Sequence, residues 1–526
     1  MDRRFFLKFN ALNLISISGM YAMDKHDHHN MHEMHNMHNM HNMEHMHTAA
    51  NSVDTSFISL EDPNIKLLDV KDFPSEQALT NLKLLKNTSK KKNFFRSSIE
   101  IKESQIELVK GKKTKCFTYN GSIPGPKIEV YEGDMVEILV KNNLKEPTTI
   151  HWHGLDIPPE QDGNPHDPIM PGREKIYRFK IPENSAGTYW YHPHPHYTTA
   201  KQVYKGLAGV FVVKAKKDAL SHLKEQDWVI SDLRLDENAQ IPDNNLFDWL
   251  NGREGNLVLI NGQLKPKITL GEAQRIRIYN FCAARYLNLR IKGAKFILVG
   301  TDGGLLEQSI ELDELFLSPA SRVEVLIKAN KGEFKLESVY YDRDKMLVKE
   351  KPYTLMLADL KIEKTIENIP EKLHEFPPLK EATSFKEVVM SEDHMQMHGI
   401  DKKNDEEIKK SLASMFLING KTFNINRIDL ISKVGEVEEW TIKNNSHMDH
   451  PFHIHGTQFE LISSKFKDKV TKAKFRALQD TINVRPGEEL KLRMNQNFSG
   501  MRMFHCHILE HEDLGMMGIL KIEDKN

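Results

Sequence analysis

The chain has 526 residues, too many for one hydrophobic core, and about three domains are expected. A formal net charge of −1 at pH 7 gives no electrostatic case for a nucleic acid or an anionic membrane as partner. Three cysteines, Cys116, Cys282 and Cys506, exclude a disulfide framework; the first two read as buried small hydrophobes, with a bridge between them as the alternative.

Residues 1–22 read as an export signal. Arg3-Arg4-Phe5-Phe6-Leu7-Lys8 is similar to the twin-arginine consensus, and the apolar stretch over 9–22 is too short to span a bilayer. The expectation is a periplasmic protein carried by the twin-arginine export machinery, with no membrane insertion of the mature chain. Cleavage after Ala22 fits, although Met20 is larger than the residue such sites usually carry at that position. Over residues 23–56, Met31, Met34, Met37, Met40, Met43 and Met46 recur with a His beside nearly every one. Met, His and Asn in such a repeat cannot build a packed core, so a flexible tail is predicted. Thioethers favour Cu(I) and imidazoles accept Cu(II), which makes copper the expected ion, with nickel or zinc as the alternative. A lead-in follows, in which 75–85 predicts a short helix capped by Ser75 and 86–92 a solvated basic loop.

An internal repeat then sets the architecture. Tyr119-Asn120-Gly121 followed by a tight Gly turn and the alternating strand around Val136, Ile138 and Val140 recurs at Asn261-Gly262 and again at Asn419-Gly420. Three copies imply an all-β chain of three β-sandwich domains, over 57–220, 221–370 and 371–526.

The strongest chemical signal lies near the end. His505-Cys506-His507 is followed by His511 and Met516, a thiolate, an imidazole and a thioether in one short loop. With a further His, for which His450 is the candidate, this is the blue-copper ligand set. On a strand His505 and His507 face one way and Cys506 the other, so one tripeptide would touch two metal centres. Three more pairs share the His-x-His spacing: His151 and His153, His192 and His194, His453 and His455.

His151-Trp152-His153-Gly154, His192-Pro193-His194, His450-Pro451-Phe452-His453-Ile454-His455-Gly456 and the stretch from His505 to Met516 resemble the four copper motifs of the multicopper oxidases, in particular the bacterial copper efflux type. The resemblance covers roughly residues 95–526. It implies cupredoxin-like Greek-key domains and four coppers. A type 1 copper would take His450, Cys506 and His511 with Met516 axial. A type 2 copper would take His151 and His453, and a type 3 pair His153, His192, His194, His455, His505 and His507. Asp162 and Glu512 match positions where the family places acids that relay protons to the cluster; an Asp before Gly163 is otherwise a turn residue. The second domain carries no ligand and reads as structural.

Met390, Asp393 and Met395 fall where the family carries a Met-rich insertion, and with Met448 they form the expected substrate-copper set; Ser446 stands where an Asp would be expected. The implied reaction is oxidation of Cu(I), or of another small reducing substrate, with four-electron reduction of dioxygen to water, serving copper tolerance. A laccase-like phenol oxidase or a ferroxidase is the alternative, and a copper-sequestering protein the third reading. A monomer is the default expectation.

Overall fold

A computed structural model of the chain describes residues 65–364, 369–393 and 405–525. The expected export signal, the Met/His-rich tail and Met395 lie outside the described residues. Among the described residues six sheets assemble as three sandwiches. The first pairs a sheet ordered Lys112–Tyr119, Phe94–Val109, Met135–Asn142, Glu174–Lys180 with one ordered Gly125–Tyr131, Gly209–Lys214, Gly187–His192, His151–His153. The second sandwich has sheets of seven and five strands, and the third sheets of six and five. Alternation drives each pairing: in Met135–Asn142 the side chains of Val136, Ile138 and Val140 are fully buried while their neighbours are part-exposed. Separate apolar clusters fill the three sandwiches, around Trp152 and Phe211, around Trp228 and Leu289, and around Trp440 and Phe504. The chain is therefore all-β, with three cupredoxin-like sandwiches.

The repeat has a physical basis in two asparagines per copy. Asn120, Asn261 and Asn419 adopt φ of 52°, 52° and 51°, each followed by a glycine at positive φ, the geometry of a tight Asn-Gly turn. Each side chain accepts from a backbone N–H of the copy's first strand, at Glu100, Val229 and Val389, at 2.7, 2.9 and 2.7 Å. The second set, Asn142, Asn280 and Asn444, is buried, and each amide donates to two loop carbonyls at 2.7–3.1 Å. In every copy the first strand runs parallel to the strand that ends in the second asparagine.

The predicted helix over 75–85 does not form. That segment runs extended, bridging through Ser75 and Ala78 to Leu264 and Lys267 and through Leu84 to Lys127. Sheet edges of two sandwiches offer it backbone partners, and those outweigh a weak local helix preference. Among the described residues a 3₁₀ turn, Val70–Asp72, precedes it, capped by Asp69. Cys116 and Cys282 are buried free thiols, so the alternative bridge is absent. Among the described residues no helix is long and apolar enough to cross a membrane.

Candidate metal centre

Two ligand clusters share one strand. Gly500–Cys506 pairs antiparallel with His450–Ile454, placing His453 opposite His505 and Phe452 opposite Cys506. On one side His450 Nδ1 lies 3.3 Å from Cys506 Sγ, His511 Nδ1 4.0 Å from that sulfur, and the two Nδ1 atoms 3.4 Å apart. Phe416 stacks on His511 at 3.9 Å, and Met516 is buried in the same apolar cluster as Cys506. The Cys506 N–H donates to the Met516 carbonyl at 3.0 Å, which closes the loop carrying both sulfurs.

On the other side the four His-x-His pairs converge at the seam of the first and third sandwiches. His194 Nε2 and His455 Nε2 approach His505 Nε2 to 3.2 and 3.3 Å. His153, His192 and His507 form a second triangle with ring centroids 5.1–5.6 Å apart. His151 and His453 stand 5.7 Å apart, each stacked on a ring of the neighbouring pair. The eight residues named from the sequence are thus together, as are the three around the thiol.

Hydrogen bonds to carbonyls fix the tautomers, because a carbonyl can only accept. His192, His453 and His505 donate Nδ1–H to the carbonyls of Pro193, Asp480 and Cys506 at 2.9, 2.8 and 2.9 Å, leaving Nε2 with its lone pair. In the thiol pocket the sense is reversed. His511 donates Nε2–H to the Leu250 carbonyl at 3.1 Å and His450 Nε2 faces Glu392 Oε1 at 3.4 Å, so Nδ1 is the free donor atom.

These residues fit copper. The Nε2 atoms of His151, His153, His192, His453 and His507 are buried with no hydrogen-bond partner. Each such orphan costs about 1–3 kcal/mol, which a bound cation would remove. Burial, with neighbouring imidazoles adding to it, holds His153, His192, His194, His453, His455 and His507 well below the ordinary imidazole range, and His505 at about 3, so the rings are neutral as ligands must be. Burial pushes the Cys506 thiol up, so its thiolate form needs the charge of a bound cation.

Asp162 accepts from His151 Nδ1 at 3.1 Å through Oδ1 and from His455 Nδ1 at 3.2 Å through Oδ2, tying a ring of each domain to one carboxylate. Glu512 lies 3.4 Å from His194 Nε2 and 3.3 Å from His505 Nδ1. Burial, with Asp513 beside it, raises Glu512 well above the carboxylate range, so it carries a proton next to the cluster. Two of the pairs are followed by a glycine, and each glycine has a cause. Gly154 and Gly456 sit at φ of 88° and 62°, and a Cβ would run into the Asp480 carboxylate at the first and the Arg502 guanidinium at the second.

The structure gives the substrate-copper set a different aspect. Met390 and Met448 are 0 % exposed and pack in the core cluster with Trp440 and Phe452. Met390 falls at an inward position of strand Ser384–Glu392, so alternation carries its thioether inward and away from solvent. Asp393 is part-exposed, its N–H donating to the Met415 carbonyl at 2.7 Å. Sequence reasoning missed Asp480, Arg322 and the Leu250 carbonyl, none of which lies in a motif. Glu392 lies two residues after Met390 and beside Asp393, likewise outside the four copper motifs.

A thiol pocket with two imidazoles, joined through Cys506 to a buried eight-histidine cluster between cupredoxin-like sandwiches, defines a blue-copper oxidase class. Family models described as multicopper oxidase match residues 100–218, 215–349 and 390–526. A multicopper oxidase of Staphylococcus aureus is 34 % identical over 452 residues, 82 % of this chain and 90 % of that one. The structure of a multicopper oxidase from Campylobacter jejuni is 68 % identical, covering 90 % of this chain and 100 % of that one, with a TM-score of 0.86. A laccase-like oxidase from Ochrobactrum sp. is 25 % identical, covering 86 % and 100 %, with a TM-score of 0.71. The chain belongs to the multicopper oxidases. It is an oxidoreductase that uses dioxygen, with one type 1, one type 2 and two type 3 coppers as cofactors.

Proposed function

We propose that this oxidase takes its electrons from Cu(I), four Cu(I) and four protons reducing one dioxygen to two waters, and that it serves copper tolerance in the periplasm after twin-arginine export. The observation that carries the reading is Glu392. Its carboxylate accepts from His447 Nδ1 on one oxygen, and the other lies 3.4 Å from Nε2 of the thiol-pocket residue His450. His447 keeps 35 % of its side-chain surface exposed while Glu392 and His450 are buried, so the line runs from solvent to the pocket. A carboxylate and an imidazole suit a metal ion as electron donor better than a phenol. The Met and His of residues 23–47 and 394–398 are copper-handling chemistry, and the Campylobacter jejuni relative is described as a metallo-oxidase.

Bound copper would supply one-electron redox chemistry at His450, Cys506 and His511 and dioxygen reduction at the eight histidines. The chain's own contributions follow from the geometry. Cys506 is bonded through the backbone to His505 and His507, giving a covalent link between the two ligand sets. Asp162 orients His151 and His455, and Glu512 holds a proton beside His194 and His505 for delivery to reduced oxygen.

Glu392 would also bind Fe(II), so a ferroxidase is the second reading. Oxygen uptake by the copper-loaded protein with Cu(I), Fe(II) and a diphenol separates them. Glu392→Ala is expected to raise the KM for Cu(I) at least about tenfold with a much smaller effect on the diphenol. Equal loss with both donors, or none with Cu(I), overturns the proposal; faster turnover with Fe(II) than with Cu(I) makes it a ferroxidase.

A further inference from the structure

The second sandwich supplies no cluster ligand, yet one of its side chains reaches under the cluster. Arg322 opens strand Arg322–Lys328 and is fully buried. Its Nε–H donates to the Thr188 carbonyl of the first sandwich at 2.8 Å. Nη1 and Nη2 donate to Oδ1 and Oδ2 of Asp480 in the third at 2.7 and 2.5 Å, a two-pronged grip. Asp302, also of the second sandwich, accepts from the backbone N–H of Arg322 at 2.8 Å and of Asp480 at 3.2 Å. One guanidinium thus touches all three domains, and two groups of the second domain fix where Asp480 stands.

Asp480 in turn faces the cluster. Its carbonyl accepts Nδ1–H of His453 at 2.8 Å, and its Oδ1 lies 3.4 Å from His153 Nδ1. These rings belong to different domains and stack on each other at 3.8 Å. Asp480 is close enough to them to be counted as a ligand itself. Its carboxylate is already committed, however: besides Arg322 it accepts from Gln458 Nε2 and Thr481 Oγ1, both at 2.9 Å. Its role is therefore orientation, and removing its cation would leave a buried unpaired charge beside the histidines.

We propose that Arg322 is a positioning residue of the histidine cluster: by gripping Asp480 it sets the ring orientation of His453 and His153 and makes seating of the second domain a condition for a well-formed type 2 site. The second domain then acts as a clamp on the cluster as well as a spacer.

The test compares Arg322→Lys with Arg277→Lys in the copper-loaded full chain. Arg277 is a matched control, because it is also a buried arginine of the second domain and also contacts Thr188, through Oγ1 at 2.5 Å, while making no contact with Asp480. Lysine keeps the charge but not the fork. Arg322→Lys is expected to shift the type 2 copper electron paramagnetic resonance signal and to weaken retention of that copper against a chelator by about 10–100-fold, with the type 1 signal unchanged. Arg277→Lys is expected to lower the melting temperature and leave both signals as they are. A type 2 signal and copper retention in Arg322→Lys equal to the parent's overturn the proposal, whatever the melting temperature, as does an equal shift in Arg277→Lys. Should Arg322→Lys not fold, Asp302→Asn decides: a smaller shift of the same signal supports the clamp, and an unchanged signal overturns it.

Discussion

Asp162 is the side chain whose removal tests the cluster's organisation most informatively. Its two oxygens serve two rings, but unequally, because His151 Nδ1 also lies 3.1 Å from the Asp162 backbone carbonyl. Asp162→Ala therefore leaves His151 one acceptor and takes away the acceptor of His455. One lost outer contact to a ligand histidine typically costs about 10–100-fold in metal affinity or activity, or roughly 1.4–2.8 kcal/mol, and the asymmetry limits the loss to that range. The damage should fall on the copper served by His455, while the Cys506 site, which Asp162 does not touch, keeps its optical band as an internal control. Asp162→Asn offers one accepting oxygen where two are needed and should lie between the parent and alanine. The assay is copper per chain after dialysis against a chelator, with oxygen uptake beside it. Full copper and uptake within about twofold of the parent in Asp162→Ala would refute the reasoning, as would loss of the thiolate copper first.

Three other perturbations read different parts of the molecule. Gly456→Ala, at φ 62° and against the Arg502 guanidinium, should destabilise by roughly 2–4 kcal/mol, whereas Gly487→Ala, at φ 71° with open space around it, should cost only about 1 kcal/mol; equal melting temperatures would contradict this. Glu512→Gln mimics the protonated acid that burial enforces, so the fold and copper content should persist while oxygen uptake falls by about 10²–10⁴-fold; undiminished uptake would remove Glu512 from proton delivery. In metal-free protein the buried cluster histidines bind protons more weakly than in the unfolded chain, so stability should fall as pH drops below about 6.5, by up to about 1.4 kcal/mol per unit for each ring. Asp302, Asp449 and Glu510, raised to about 7 by burial, Asp513, raised to about 6, and Glu512, raised well above the carboxylate range, work in the opposite sense, being stabilising while protonated, but the buried histidines, with His511 added to the cluster rings, outnumber them. A melting temperature at about pH 5 equal to that at about pH 7 would contradict the sum.

The ligand pairs were legible because the His-x-His signal is local: His151–His153 lies within a strand, and the other three pairs each begin near a strand's end and run one or two residues past it. The Asn-Gly turns were legible for a similar reason, each being a short signal with a fixed backbone requirement. What escaped was tertiary. Nothing near Asp480 in sequence marks it, and its meaning comes from Arg322, 158 positions away, and from His453. The lead-in over 75–85 has helix-compatible residues, but sheet edges at Leu264, Lys267 and Lys127 bind it extended. Met390 and Met448 show the limit of composition, since a thioether suits Cu(I) and an apolar core equally well, and their place in the cluster with Trp440 and Phe452 is set by tertiary packing.

The most direct test of the account is the ratio of Cu(I) to dioxygen consumed by the copper-loaded protein, measured with peroxide detection beside Cys506→Ser. Electron input at the Cys506 site and complete reduction at the histidine cluster predict four Cu(I) per dioxygen, no peroxide, and uptake falling to background in the variant. A ratio near two with peroxide accumulating, or uptake that survives Cys506→Ser, would contradict it.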